Sequence, residues 1–209
     1  MREILITKTN EVPVIAVVCN GNPTEFIVCN EQSEVFTGSI YKGIVKKWRP
    51  DLDAYFVDIG HHKDAFLSKR DTLLDRLTIG DPVLVQVVKA SERFKGPKVT
   101  MHIKLSGQRI VYMPFSGYTA ASKQLSRADR ETWLRVAETM LKDREGLILR
   151  TAVKEATREE LASELAKLRD LSASLKALSL TKQAPACLYG GANCLERALD
   201  NVLSADVKA

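Results

Sequence analysis

Residues 38–67, GSIYKGIVKKWRPDLDAYFVDIGHHKDAFL, carry the pattern that decides the fold. Apolar and polar residues alternate over residues 40–47, 54–59 and 65–67, which predicts three short strands separated by turns. Lysines, arginines and aromatic residues occur on these strands. In a small antiparallel barrel, such rings stack on bases and such cations hold phosphates. The segment therefore predicts a single-stranded nucleic acid as the partner.

Two more strands are predicted nearby, at residues 82–90 and 98–104. Residues 37–106 then contain five strands, which is the number in an OB-type (oligonucleotide-binding) barrel. A basic loop with one aromatic residue, 91–97, joins the last two strands.

The chain before the barrel, residues 1–36, reads as a three-stranded meander with a turn at Asn20-Gly21. It is too small to stand alone. We therefore expect the barrel to be inserted into another domain.

Strands and helices alternate after Gly107. We expect a strand at 109–113, a polar loop at 116–125 and a strand at 146–152. Residues 185–189 read as a strand. Residues 192–203 read as a final helix.

Two longer helices have clear starting signals. Ser126 is a predicted cap of a helix that runs to about Lys142, and Thr157 with Glu160 forms a capping-box pattern for a helix to about Leu178. Leucines repeat along the second helix at helical spacing. This stripe is more typical of core packing than of a partner-binding surface.

Positive charge is concentrated in the barrel segment. The chain has 209 residues and a net charge of +5; residues 37–106 alone hold thirteen basic and eight acidic side chains, whereas residues 1–36 hold two and five. This distribution favours a polyanionic partner, although moderate basicity also serves solubility alone.

The four cysteines, Cys19, Cys29, Cys187 and Cys194, contain no closely spaced pair, so we predict no metal site and expect reduced thiols. No apolar run is long enough to span a bilayer, and no signal peptide is recognisable. These features predict a cytoplasmic chain.

Five strings of the sequence, in order, resemble the ribonuclease E/G family of bacterial endoribonucleases. The strings are residues 2–6 (REILI), 40–43 with 54–60 (IYKG and AYFVDIG), 95–107 around Lys95-Gly96 and Val99-Thr100, 111–114 (VYMP), and 146–152 (GLILRTA). The second and third resemble the ends of the family's S1-type OB domain. The last two resemble its pocket for the RNA 5′ end.

The resemblance implies an α+β architecture: a five-stranded, S1-like OB barrel inserted into a split, incomplete ribonuclease-H-like domain, followed by an α/β 5′-sensor region. The expected divisions are 1–36 and 185–209 for the ribonuclease-H-like pieces, 37–106 for the barrel and 107–184 for the sensor. The family's aspartate-bearing catalytic domain and zinc-linking cysteine motif have no counterpart here. We therefore expect no catalytic residue, no cofactor in this chain and no activity of the chain alone, with magnesium required by a full-length family enzyme.

On the barrel, the resemblance assigns Phe56 and Phe66 to base stacking and Lys95 to RNA contact, with Lys42 adding to the positive field. Alternation sends one of Tyr55 and Phe56 outward and the other inward. From the residues alone, both phenylalanines could equally belong to the core, and each lysine to a solvated strand face.

At the sensor, the resemblance assigns 5′-phosphate binding to Arg150 and Thr151, with Gly107 and Val111 lining the other side and Lys123 as a weaker candidate. A guanidinium can grip two oxygens of a terminal phosphate, and a hydroxyl can complete the shell. The alternative is that Arg150 is a surface residue paired with Glu145 or Glu155.

The function implied is the RNA-recognition portion of an endoribonuclease, which binds single-stranded RNA and senses a 5′-monophosphate. A different class remains open: a non-catalytic RNA-binding adaptor or regulator. A complete small nuclease is a third reading, but no aspartate cluster supports it. We expect a monomer or weak dimer for this chain, and a higher oligomer is possible for a full-length enzyme.

Overall fold

The computed structural model describes residues 2–9, 12–28, 35–91 and 95–190. The chain begins with strands β1 (Arg2–Thr9), β2 (Val12–Cys19) and β3 (Asn22–Val28), which form the predicted antiparallel meander in the order β1-β2-β3. Asn20 and Gly21 both have positive φ, the geometry of a two-residue hairpin turn that matches strand twist.

Five strands close into a barrel: β4 (Ile40–Arg49), β5 (Ala54–Asp58), β6 (Ala65–Ser68), β7 (Pro82–Lys89) and β8 (Lys98–Thr100). The order is β4-β5-β6-β8-β7, and β7 pairs back with β4. The predicted OB-like barrel is therefore confirmed at the level of its strands and closure.

Four of the five strand pairs that close the barrel are antiparallel, whereas β6 and β8 pair in parallel. The reason is parity. A closed ring of strands can alternate in direction throughout only if the number of strands is even, so five strands leave one parallel pair.

The barrel interior is filled by one residue in two along each strand. Tyr55 and Val57 are buried, as are Val85 and Val99 on the facing strands. Gly43 has to be a glycine, because a Cβ there would lie 2.9 Å from the carbonyl oxygen of Asp58. This close approach lets β4 curve around the core.

A second, four-stranded sheet follows, built from β9 (Leu105–Ser106), β10 (Ile110–Met113), β11 (Thr119–Ala121) and β12 (Gly146–Leu149). Its order is β11-β12-β10-β9, with β11 parallel to β12. Strand β11 lies where the sequence predicted only a loop. Its Thr-Ala-Ala sequence carries little strand preference, so pairing with β12 determines its conformation.

Two helices cover this sheet, α1 (Arg127–Met140) and α2 (Arg158–Thr181). Both predicted caps are present: Ser126 accepts from the Asp129 N–H, and Thr157 and Glu160 form a complete capping box. The leucine stripe of α2 is core, as expected. Its buried members are Leu161, Leu165, Leu168 and Leu175.

The last described strand, β13 (Ala186–Tyr189), pairs with β4 of the barrel. The predicted strand at 185–189 is thus present and extends the barrel sheet. The predicted helix at 192–203 lies outside the described residues. The assignment of residues 1–36 and 185–209 to a ribonuclease-H-like domain stays a prediction.

No described helix combines the length and apolar character needed to cross a membrane.

A partly buried ionic cluster fastens α2 to the second sheet. The Glu145 carboxylate, just before β12, accepts hydrogen bonds from Arg169 of α2, from the Tyr112 hydroxyl at 2.8 Å and from the Lys142 N–H at 2.8 Å. Arg169 also donates to the Met140 carbonyl at 2.7 Å. The cluster therefore joins both helices and two strands.

Burial and these hydrogen bonds shift the pKa values of Glu145 and Tyr112. Burial alone would raise the pKa of Glu145, but the hydrogen bonds from Arg169, Lys142 and Tyr112 outweigh it and lower this pKa to about 2. Burial, together with the bond to Glu145, raises the pKa of Tyr112 to about 12. The cluster is thus held as carboxylate, guanidinium and neutral phenol.

Replacing Glu145 by glutamine should lower the free energy of unfolding by about 2 kcal/mol, because Arg169 loses its charged partner inside the fold. Urea denaturation at neutral pH measures this. The matched control is Glu131→Gln, which breaks the exposed pair Arg127–Glu131 (side chains 93% and 53% exposed) and should change stability by less than about 0.5 kcal/mol. Equal losses in both variants would contradict a structural role for the cluster.

Acid should remove the same stabilisation. The folded pKa of Glu145 lies below its ordinary value of 4.5, so the cluster's contribution is complete above pH 4.5 and is lost as the pH falls toward 2. The stability difference between wild type and Glu145→Gln should therefore shrink between pH 5 and pH 2. A difference that stays constant over this range would contradict the assignment.

Candidate nucleic-acid interface

The two predicted stacking residues face each other on the outside of the barrel. Phe56 on β5 is the register partner of Phe66 on β6, and both rings are half-buried. Their centroids are 5.9 Å apart and the rings meet edge to face at 89°. Tyr55 and Leu67 point inward, so alternation places Phe56 on the surface and Tyr55 in the core.

Lysines continue the same row on both sides. Lys47 on β4 is the partner of Phe56, and its Nζ lies 4.7 Å from that ring's centroid. Lys98 on β8 is the partner of Phe66, and Lys89 on β7 is the partner of Lys98. Because register partners share one face of a sheet, these side chains form one strip across the barrel. We call it the barrel row: Lys47, Phe56, Phe66, Lys98 and Lys89.

The barrel row joins two kinds of chemistry. Exposed ring faces accept bases by stacking, and the ammonium groups beside them attract phosphates. The charge is partly balanced at one end, where Lys98 lies 3.4 Å from Asp71. The strip offers no base-specific hydrogen-bond pattern, so it suits a single strand of any sequence.

The other two predicted barrel lysines differ in their surroundings. Lys95 is exposed and directly precedes Gly96. A Cβ on Gly96 would collide with the carbonyl oxygen of Asp64. Lys42 uses its ammonium group to donate to the Lys182 carbonyl at 2.8 Å, beyond the end of α2. Lys42 therefore fastens the helix to the barrel, and an RNA contact by either lysine remains a prediction.

The predicted phosphate-binding residues meet at one end of the second sheet. The Arg150 N–H donates to the Arg109 carbonyl at 2.7 Å, and the Ser122 N–H donates to the Leu149 carbonyl at 2.8 Å. The turn 107–109, the loop 122–124 and the start of the short 3-10 helix Thr151–Glu155 are thereby adjacent. We call this the sheet-end site.

Arg150 is the exposed cation of the sheet-end site. Within the described part of the chain, its guanidinium forms no ion pair or hydrogen bond. The alternative pairing with Glu145 does not form, because Glu145 binds Arg169. Lys123 is exposed in the neighbouring loop. Thr151 bonds to the Ser122 hydroxyl at 3.0 Å and to Gln124 at 3.1 Å.

Gly107 and Val111 occupy the other side of this sheet end. The space beside the Gly107 Cα is filled by the Glu164 carboxylate of α2, which also accepts the Arg109 N–H at 2.9 Å. A Cβ at this position would displace the Glu164 carboxylate from its place beside Gly107. Val111 is half-buried beside Ile148, on the sheet face opposite the core. Their phosphate contacts remain predictions.

Sequence reasoning missed Ser122, Gln124 and Lys98 as members of these sites and gave Lys47 only a general electrostatic role. Gln124 and Ser122 carry no motif and enter the site through hydrogen bonds to Thr151. The lysines enter through strand register. A one-residue shift between Val45 and Lys47 brings Lys47 opposite Phe56, and strand periodicity alone does not reveal such a shift.

The aspartates between residues 51 and 64 serve the barrel itself. Asp51 pairs with Arg49 at 2.7 Å, and Asp58 pairs with Lys46 at 3.4 Å and accepts the Gly60 N–H. Across the described ranges, no group of three or more histidine, cysteine or acidic residues is arranged to hold a metal ion.

Comparison with known proteins gives a consistent result. The sequence model described as "Ribonuclease E/G family" matches residues 104–209. Ribonuclease G of Escherichia coli strain K12 is 28% identical over 98% of this chain and 46% of its own length. Ribonuclease E of Synechocystis sp. is 26% identical over 99% of this chain and 32% of its own length. A ribonuclease E/G-like protein of Porphyra purpurea is 27% identical over 93% of the chain and 40% of its own length.

This chain thus spans about half the length, or less, of the curated relatives it matches. The family model covers half of the chain, and the relatives align along nearly all of it. The chain therefore belongs to the ribonuclease E/G family.

Proposed function

We propose that this chain is the RNA-recognition portion of a ribonuclease E/G-type enzyme, binding single-stranded RNA and sensing a 5′-monophosphate. The observation that carries the proposal is the barrel row, in which two half-buried rings in register are flanked by lysines. RNA cleavage is not assigned to any described residue.

The barrel row supplies affinity without sequence preference. Stacking of a base on an aromatic side chain is worth about 1–3 kcal/mol. Lys47 beside Phe56 and Lys98 beside Phe66 would neutralise the phosphates that connect the stacked nucleotides. Binding should therefore weaken as the salt concentration rises.

The sheet-end site supplies the preference for a 5′ end. A terminal phosphate carries about −1.5 to −2 charges near neutral pH and has three unshared oxygens, more than a backbone phosphate. The exposed guanidinium of Arg150 can bind two of these oxygens, and Thr151 and Lys123 lie in the adjoining segments. A 5′-hydroxyl offers none of these contacts.

Phe56→Ala should weaken binding of a short A/U-rich RNA by about 5- to 100-fold, with little change in melting temperature, because the ring lies on the surface. Fluorescence anisotropy with a 3′-labelled RNA measures the affinity. Phe26→Ala is the matched control, since this ring is 66% exposed but lies on β3, which belongs to a different sheet. If both variants bind as wild type does, the barrel row is not the RNA interface.

Arg150→Ala should abolish a preference for 5′-monophosphate RNA over 5′-hydroxyl RNA, which we expect to be roughly tenfold or more in the wild type. The same anisotropy assay, with both RNAs, gives the ratio of dissociation constants. Arg127→Ala is the control, because the Arg127 side chain is 93% exposed on α1. Equal binding of both RNAs by the wild type would argue against 5′-end sensing.

A further inference from the structure

The hydroxyl of Thr151 is part of a chain of hydrogen bonds with a defined direction. Thr151 donates its single proton to the Gln124 side-chain oxygen at 3.1 Å. The contact of 3.0 Å between the Ser122 and Thr151 hydroxyls must then use a proton from Ser122. Ser122 in turn accepts the backbone N–H of Gln124 at 3.3 Å. The ring of hydrogen bonds is thus closed through the backbone of Gln124.

Further hydrogen bonds hold the loop that carries Ser122 and Gln124 in place. Arg130 of α1 donates to the carbonyls of Ser122 and Lys123, at 3.4 and 3.2 Å. The Leu125 N–H closes the turn on the Ser122 carbonyl at 3.2 Å. Gln124 is therefore held beside Thr151 by the backbone of its loop as well as by its own side chain.

The other half of the Gln124 amide faces outward. The side chain is exposed, and among the described residues its NH₂ group donates to no protein acceptor. It lies next to a hydroxyl whose neighbour in the chain, Arg150, presents an exposed guanidinium. Arg150 and Thr151 are neighbours in the chain, and Thr151 bonds to Gln124, so these adjoining residues carry a guanidinium, a hydroxyl and an amide that could serve an anion.

We propose that Gln124 is a specificity-determining residue of the sheet-end site and donates its side-chain N–H to the terminal phosphate of a 5′-monophosphorylated RNA. This inference rests on the function proposed above. In the ligand-free arrangement, the Thr151 proton is held by Gln124. A phosphate oxygen replaces the Gln124 oxygen as the acceptor of the Thr151 hydrogen bond, and the amide then turns its NH₂ group toward the same phosphate, while Ser122 continues to donate to Thr151.

Two substitutions separate direct contact from a purely supporting role, because the two roles predict opposite orders. Gln124→Glu keeps the acceptor for Thr151 but adds a negative charge. Gln124→Lys loses that acceptor but offers a cationic donor. If Gln124 contacts the phosphate directly, the preference for 5′-monophosphate RNA should be at least as large in Gln124→Lys as in the wild type. It should be much smaller in Gln124→Glu. A role limited to holding Thr151 requires Lys to fall below Gln, because the acceptor for the Thr151 hydroxyl is lost.

The experiment measures, by anisotropy, the ratio of dissociation constants for 3′-labelled 5′-hydroxyl and 5′-monophosphate RNA, using the 209-residue chain. We expect Gln124→Glu to reduce this ratio by on the order of tenfold, because a carboxylate would then lie near a dianion. The ratio cancels the effect of a changed net charge on binding of the backbone, which both RNAs share. Melting temperatures confirm that each variant is folded.

The outcomes distinguish the two proposals. If the wild type prefers the monophosphate and Arg150→Ala removes the preference, but the glutamate variant keeps it, the role of Gln124 is overturned and 5′ sensing stands. If the wild type shows no preference, both are overturned. Loss in Gln124→Glu with retention in Gln124→Lys supports the assignment.

Discussion

Strand β4 pairs with three other strands, and both the barrel and the second sheet depend on this strand. Residues 40–44 pair with β7, residues 44–49 pair with β5, and the first part of the strand also pairs with β13. Ile40 packs into the core of the second sheet, whereas Tyr41 and Val45 pack into the barrel. Lys42 then bonds to the chain just beyond α2. Removing a contact along this strand therefore affects the barrel and the second sheet together.

Each candidate site is carried by a rigid part of the fold. The barrel row lies on paired strands whose inward neighbours are fully buried. The sheet-end site lies on turns that are joined by backbone hydrogen bonds, and α2 is fastened to one of these turns through Glu164. Exposed side chains on a fixed backbone lose little further freedom when a ligand binds, which favours recognition.

Local features of the sequence predicted local structure well. The alternation of Tyr55 and Phe56, the Ser126 cap, the capping box at Thr157 and the leucine stripe of α2 all depend on residues within a few positions of one another. The features that could not be predicted depend on distant partners. The parallel β6–β8 pair follows from closure of the whole ring, and β11 forms only against β12.

The candidate sites also combine features that nearby residues predict with features that depend on distant partners. The identities of Phe56, Phe66, Arg150 and Thr151 came from a family resemblance, and the structure settled which of Tyr55 and Phe56 faces outward. The lysine partners came from register shifts, between Val45 and Lys47 and between Val87 and Lys89, that no spacing rule gives. The bond between Thr151 and Gln124 spans 27 positions of sequence, so only the folded chain reveals it.

The edge-to-face arrangement of Phe56 and Phe66 has a geometric consequence for any strand that lies across them. Bases stacked on rings inclined at 89° would themselves be nearly perpendicular, whereas successive bases in an A-form helix are almost parallel. A bound strand must therefore turn sharply between those two nucleotides and lose the stacking between them. Flexible, A/U-rich segments give up less stacking than purine runs, and a duplex could not make this turn without opening, so the angle between the two rings would favour a strand that is already unpaired.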